Sequence, residues 1–318
     1  MLSRLFSFVV LASAGFGLAG ASVRPSGGSY LRAEDHRVAT VAHRIAIGAV
    51  RHCPERAPVT GLQLDHLAEY AVRDQPALAA ERRLDRGAGV LSVVEASAAA
   101  QAGLVAGDVI VAVNGIPLAP TPGPAHSATA IREAAARVLE GQLRLGPVRL
   151  RVLGSSAERG VTLTARMGCP AWARLARSER VNAVVDGGNI VLTTAVLAET
   201  RSDDELAVII GHELAHVVLR HGARLREQRV PRGWRRSFGK NAKRVLATEI
   251  EADRLGIKLA AAAGYDMAQA IPFWRRFYAR HDGSHLFRTH PRLAERERII
   301  RETLAELEWA GLRGAPLP

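Results

Sequence analysis

Ser202-Asp203-Asp204-Glu205-Leu206-Ala207-Val208-Ile209-Ile210-Gly211-His212-Glu213-Leu214-Ala215-His216 is the stretch whose reading decides the fold of this chain. Ser202 with Glu205 three residues on reads as a capping box. Leu206, Ile209, Ile210, Leu214, Val217 and Val218 then recur at helical spacing, which predicts a helix of about 20 residues with one buried face. His212 and His216 are four apart and share a face of that helix, so both can turn a ring nitrogen to one metal ion. Glu213 sits about 100° round the helix, placed to hold and deprotonate a water on that metal.

A catalytic zinc site takes three protein ligands and keeps one position open. Ten residues after His212, where an extended motif would supply a third histidine, the chain has Gly222. His221 is one residue out of register and reads as a solvated imidazole at the helix end, favoured there by the dipole. A second helix around residues 248–256 is the better source. Glu249 and Asp253 share one face of it, while Glu251 points nearly the opposite way. Glu249 is therefore the expected third ligand and Asp253 the carboxylate that orients an imidazole.

His212-Glu213-Leu214-Ala215-His216 followed by Glu249-Ile250-Glu251-Ala252-Asp253 resembles the M48 family of zinc metallopeptidases, whose pattern is H-E-x-x-H and then E-x-x-x-D. Two further segments agree. Asn182-Ala183 through Asp186-Gly187-Gly188-Asn189-Ile190-Val191-Leu192 is similar to the family's strand along the active-site cleft. Thr289-His290-Pro291, with Arg296 beyond, is similar to its C-terminal element. The resemblance covers about residues 165–312. It implies a mainly helical, gluzincin-type peptidase domain with a small edge sheet, and one Zn²⁺ per chain on His212, His216 and Glu249. Glu213 would be the catalytic base, with Asp253 and Arg296 supporting the ligands from behind. His290 would lie near the metal, either steadying the tetrahedral intermediate or filling the fourth position. Gly188, Asn189, Ile190 and Val191 would offer backbone to an extended substrate as an added strand, or form an ordinary buried strand.

A length of 318 residues allows about two domains, and a second is legible before the first. Gly87-Ala88-Gly89-Val90 reads as a glycine turn entering a strand. Ala102-Gly103-Leu104-Val105-Ala106-Gly107-Asp108-Val109-Ile110-Val111-Ala112-Val113-Asn114-Gly115 reads as turn, strand and Asn-Gly turn. This run resembles the PDZ domains of bacterial envelope proteases. A helix near 131–140 and strands at 148–153 and 161–165 complete it, with Pro120–Pro124 as an internal loop. The resemblance implies that the amides of Gly87, Ala88, Gly89 and Val90 bind the C-terminal carboxylate of a peptide ligand. The alternative is a PDZ domain that only packs against the peptidase.

The expected organisation is α+β: a signal peptide over 1–21, a helical N-terminal segment over 22–85, a β-barrel-like PDZ domain over 86–166 and the peptidase domain over 167–318. Arg4, the apolar run from Leu5 to Leu18 and Ala19-Gly20-Ala21 predict export to the periplasm of a bacterial envelope, with an uncleaved N-terminal anchor as the alternative. Cys53 and Cys169, the two cysteines, are a candidate disulfide in that oxidising compartment. The formal charge of +12 is concentrated between Arg220 and Arg244, with Trp234 and Phe238 as apolar anchors. That stretch reads as a contact with anionic membrane surface, a lid or a solvated loop. No nucleic acid partner is expected, because no nucleic-acid fold accompanies the arginines. The function expected is a zinc-dependent endopeptidase of the cell envelope that hydrolyses unfolded or misassembled proteins through a Glu213-assisted zinc-bound water. The alternative is a latent, chaperone-like peptide binder.

Overall fold

The computed structural model describes residues 33–118, 128–186, 188–231, 233–281, 290–309 and 311. The expected signal peptide, the Pro120–Pro124 loop, Gly187 and Thr289 lie outside the described residues, as does the side chain of Trp234. The described chain gathers into two compact units, one of residues 33–43 and 56–168, the other of residues 44–55 and from 169 onward. The boundary falls within α1 (Ala33–Gly48), whose Val38, Val41, Ala42 and Ile45 form one buried stripe at helical spacing.

The first unit continues with β1 (Ala57–Val59), β2 (Leu62–Asp65), α2 (Gln75–Arg82), β3 (Ala88–Val93), α3 (Ala98–Gln101) and β4 (Val109–Val113). After these come β5 (Ile116–Pro117), α4 (Ala128–Leu145), β6 (Val148–Leu153), β7 (Glu158–Leu163) and β8 (Arg166–Gly168). Strands run in the order β2-β3-β4-β6-β7, all antiparallel, with β5 on β4 and a separate β1–β8 pair. Alternation sets the faces: in β6, Val148, Leu150 and Val152 are buried while Arg149 and Arg151 are exposed. The buried face meets Leu139 and Leu143 of α4 and Val90 of β3 in one apolar cluster. Asn114 (φ +48°) and Gly115 (φ +81°) make the two-residue turn that their dipeptide predicts.

Two expectations are corrected here. Residues 22–85 are not simply helical, because β1 and β2 lie within them and β2 is a strand of the same sheet as β3. The glycines of Gly87-Ala88-Gly89-Val90 do not form an open carboxylate-binding turn. Ala88, Gly89 and Val90 lie on β3, an interior strand, paired with β2 on one side and β4 on the other. Close packing explains the glycines: a Cβ on Gly87 would stand 2.2 Å from the Ile110 carbonyl, and one on Gly89 2.3 Å from Asp65 Oδ1. Asp65 is itself buried and held by Arg82 at 2.9 Å and by the Tyr70 hydroxyl. The sheet edge on this side belongs to β2.

The second unit holds β9 (Trp172–Ala176), β10 (Ala183–Asp186), β11 (Asn189–Thr193), α5 (Thr194–Ala198), α6 (Asp203–Val218) and α7 (His221–Glu227). It ends with α8 (Gly239–Ala262), α9 (Ala270–Arg280) and α10 (Leu293–Trp309). Ser202 caps α6 by accepting from the Glu205 amide at 3.3 Å, whereas the Glu205 carboxylate reaches one residue further back than a capping box, to the Arg201 amide at 2.8 Å. Residues 44–55 are bound in by the Cys53–Cys169 disulfide (Cα–Cα 5.5 Å), by Arg44 Nε donating to the Ala263 carbonyl at 2.8 Å and by the Arg44 guanidinium over Tyr265. The substrate-strand expectation fails as stated. Asn189, Ile190 and Val191 lie on β11, the middle strand of the order β10-β11-β9, with Gly188 leading into it, so their backbone is already paired on both sides.

α6 and α8 meet at Gly211 and Gly256. A Cβ on Gly211 would stand 2.6 Å from the Gly256 carbonyl oxygen, and one on Gly256 2.7 Å from the His212 amide nitrogen. Backbone packs on backbone there, one residue from His212. Gly256→Ala should therefore push the helices apart and cost about 1–3 kcal/mol of unfolding free energy in denaturant titration. Its metal affinity should fall as well, unlike that of an overpacked mutant remote from the crossing.

Candidate metal centre

The crossing brings the two motifs face to face. His212 and His216, on successive turns of α6, turn their Nε2 atoms to within 3.1 Å of each other. Glu249 of α8 enters opposite, its Oε2 3.4 Å from His212 Nε2 and its Oε1 3.7 Å from His216 Nε2. All three side chains are buried. Donor atoms spaced in this way match the edge of ~3.3 Å expected of a tetrahedron with bonds of ~2 Å to zinc. Both Glu249 oxygens are buried without a hydrogen bond of normal geometry. A buried carboxylate left in that state is costly unless a cation meets it, so the residues present fit a divalent metal. Burial alone would push Glu249 up, but the neighbouring imidazoles of His290, His216 and His212 hold it well below the usual carboxylate range.

Asp253 stands one turn beyond Glu249, with Oδ1 2.9 Å from His212 Nδ1 and Oδ2 accepting from Arg296 Nε at 2.8 Å. Arg296 of α10 is also buried, and its guanidinium carbon lies 3.9 Å from the centre of the Trp274 ring. Burial opposes charge on Asp253, but Arg296 and His212 outweigh it and hold its carboxyl low. His290 Nε2 lies 3.3 Å from Glu249 Oε2, so the C-terminal motif does arrive at the same point. Glu213 is buried and burial pushes its carboxyl up. It lines an apolar cleft with His212, Ala183 of β10, Trp274 and Phe277 of α9, and His290.

Two features escaped the sequence. The cleft wall of Phe273, Trp274, Phe277 and Tyr278 was signalled by four aromatics in six residues of a chain that is 5% aromatic. His221, expected at the surface, is fully buried, and its Nδ1 lies 2.9 Å from His216 Nδ1. Burial and the neighbouring His216 push it down to about 4, so it is neutral. Phe238 is 48% exposed and the basic stretch around it runs over α7, a 3-10 turn (Gly233–Ser237) and the start of α8. None of the described helices is long and apolar enough to cross a membrane.

Arg296→Met should leave the buried Asp253 with His212 alone and without its arginine counter-charge, and cost about 3–5 kcal/mol in equilibrium unfolding. The double variant Arg296→Met, Asp253→Leu should recover much of that stability without recovering metal affinity.

Residues 159–230 and 243–304 match Peptidase family M48, and residues 89–140 match the PDZ domain. The Beta-barrel assembly-enhancing protease of Yersinia pestis is 30% identical over 127 residues, an alignment covering 31% of this chain and 26% of that protein. The chain thus matches about a quarter of that relative's length. A crystal structure of the HtrA3 PDZ domain bound to a phage-derived ligand (FGRWV) covers 36% of this chain and 92% of its own, with 22% identity and a TM-score of 0.26. The buried His212, His216 and Glu249 all lie within the segments that match Peptidase family M48, and the match to the PDZ domain precedes them.

Proposed function

We propose that this chain is a zinc-dependent endopeptidase that acts on unfolded or misassembled proteins of a bacterial cell envelope, exported to the periplasm by its N-terminal segment. The observation that carries the reading is the convergence of His212, His216 and Glu249 on one buried point, with Glu213 lining the cleft beside it. The name of the Yersinia pestis relative, a protease that enhances β-barrel assembly, supports the envelope setting.

Bound zinc supplies a Lewis acid for the scissile carbonyl and lowers the pKa of water to ~7. His212, His216 and Glu249 would hold it. Glu213 takes the proton from the attacking water and returns it to the leaving amine, a task suited to a carboxyl that burial has raised. No covalent acyl-enzyme is needed. The aromatic wall of the cleft accepts an apolar side chain next to the scissile bond. Because β11 is interior, an extended substrate would pair instead along β10, the outer strand that contributes Ala183 to the cleft. The PDZ domain would hold a peptide segment by the same kind of strand addition, at the edge of β2.

Cleavage of casein by the zinc-loaded chain tests the reading. Glu213→Gln should keep one zinc per chain and lose turnover by at least ~10²-fold. His216→Ala should lose the metal and turnover together. Activity in Glu213→Gln equal to that of the unmodified chain rejects the mechanism.

The position of His290, 3.3 Å from Glu249 Oε2, favours a second, latent reading, in which its imidazole would cap the cluster and keep substrate out. His290→Ala separates the two roles by the sign of its effect on kcat: a rise marks a cap, a fall marks a group that steadies the reacting carbonyl.

A further inference from the structure

The two histidines of the centre are supported differently. His212 Nδ1 faces a carboxylate, Asp253. His216 Nδ1 faces another imidazole, His221 Nδ1, at 2.9 Å. The second nitrogen of His221 lies 3.1 Å from Glu251 Oε2, and Arg224 grips both Glu251 oxygens at 2.5 and 3.2 Å.

Proton positions along this chain follow from one another. Two ring nitrogens 2.9 Å apart share a single proton, one donating and one accepting. The Nε2 atom of His216 is turned to the cluster with His212 Nε2 and Glu249, so a ligating His216 is unprotonated there and carries its proton on Nδ1. His216 Nδ1–H therefore donates to His221. A ring that accepts at Nδ1 carries its proton on Nε2, so His221 donates there to Glu251 Oε2 at 3.1 Å, while Arg224 donates to Glu251 from the other side.

The backbone is arranged for this contact. Arg220, immediately before His221, is a non-glycine residue in the left-handed region at φ +52°, a conformation that costs roughly 1–2 kcal/mol. It turns the chain sharply after α6, so that α7 begins with His221 beneath His216. Opposite, α8 presents three carboxylates within five residues: Glu249 at the cluster, Asp253 behind His212 and Glu251 behind His221.

We propose that His221 is a positioning residue for the metal ligand His216, accepting the His216 Nδ1 proton within a His216–His221–Glu251–Arg224 chain that fixes the tautomer and ring angle of that ligand. The proposal rests on the reading of His212, His216 and Glu249 as a metal site. A histidine that served only to fill space would be replaced best by phenylalanine, which keeps the ring. The positioning role reverses that order. Glutamine keeps an acceptor for His216 and a donor for Glu251, whereas phenylalanine leaves the His216 N–H buried with no acceptor.

The test uses the full chain, stripped of metal and reloaded. Zinc affinity is read by chelator competition, the ligand field by the visible spectrum of the Co²⁺ form, and folding by thermal unfolding of the metal-free protein. His221→Phe should weaken zinc binding by about 10–100-fold and alter the Co²⁺ spectrum. His221→Gln should restore most of the affinity, and the half-exposed Glu251→Gln, which does not disturb packing, should give a smaller loss in the same direction. Unmodified zinc affinity and Co²⁺ spectrum in both His221→Phe and Glu251→Gln overturn the proposal while leaving the metal site intact. His221→Gln no better than His221→Phe overturns it in favour of packing. Failure of the unmodified chain to take up zinc removes the metal site itself and the proposal with it.

Discussion

Everything at the centre depends on how closely α6 and α8 approach. Helices usually pack about 8–10 Å apart because their side chains interdigitate. At Gly211 and Gly256 there are no side chains, and each α-carbon faces the other helix's backbone directly. That contact fixes both the distance and the rotation of the two helices within one residue of His212. With the rotation set, the α8 carboxylates meet the α6 imidazoles without any loop having to be ordered. Side chains on two rigid helices hold a ligand geometry better than side chains on loops do.

The same closeness gives the region its electrostatic character. Glu249 and Asp253 are both buried, yet their charges are met in different ways. Asp253 lies between His212 and Arg296 and is paired without help. Glu249 has the imidazoles of His212, His216 and His290 within 4 Å, and its oxygens lack good hydrogen bonds. The first charge is balanced by the fold, and the second is met most completely by a cation, so cation binding and folding are coupled here. Arg296 links this balance to the cleft, because the guanidinium that holds Asp253 also stacks on Trp274 of the cleft wall.

Much of this was legible in the order of residues. The i, i+4 spacing of His212 with His216 and of Glu249 with Asp253 is a property of single helices, and it survived folding unchanged. Asn114-Gly115 likewise specifies its turn locally. What misled was information that only pairing supplies. Gly87 and Gly89 look alike whether they free a loop or admit a neighbour's carbonyl and carboxylate, and the structure shows the second use. The β-rich run Asn189–Val191 carries no mark that two other strands flank it. His221 was discounted because it broke a sequence register, whereas a left-handed residue before it reset the register in space. The matches to Peptidase family M48 and the PDZ domain agree with the two resemblances, the first carried by four short motifs and the second by a run of turn and strand.

The Cys53–Cys169 bond has a consequence for how the chain behaves when it is cut. It closes a loop of 116 residues that contains the whole PDZ match. A peptide bond broken anywhere between residues 54 and 168 leaves two pieces joined through sulfur, and no mass is shed. Such a nick stays invisible on a non-reducing gel and emerges as two fragments only when thiol is added. For as long as the surroundings are oxidising, the peptidase helices keep a covalent hold on both halves of a nicked PDZ domain.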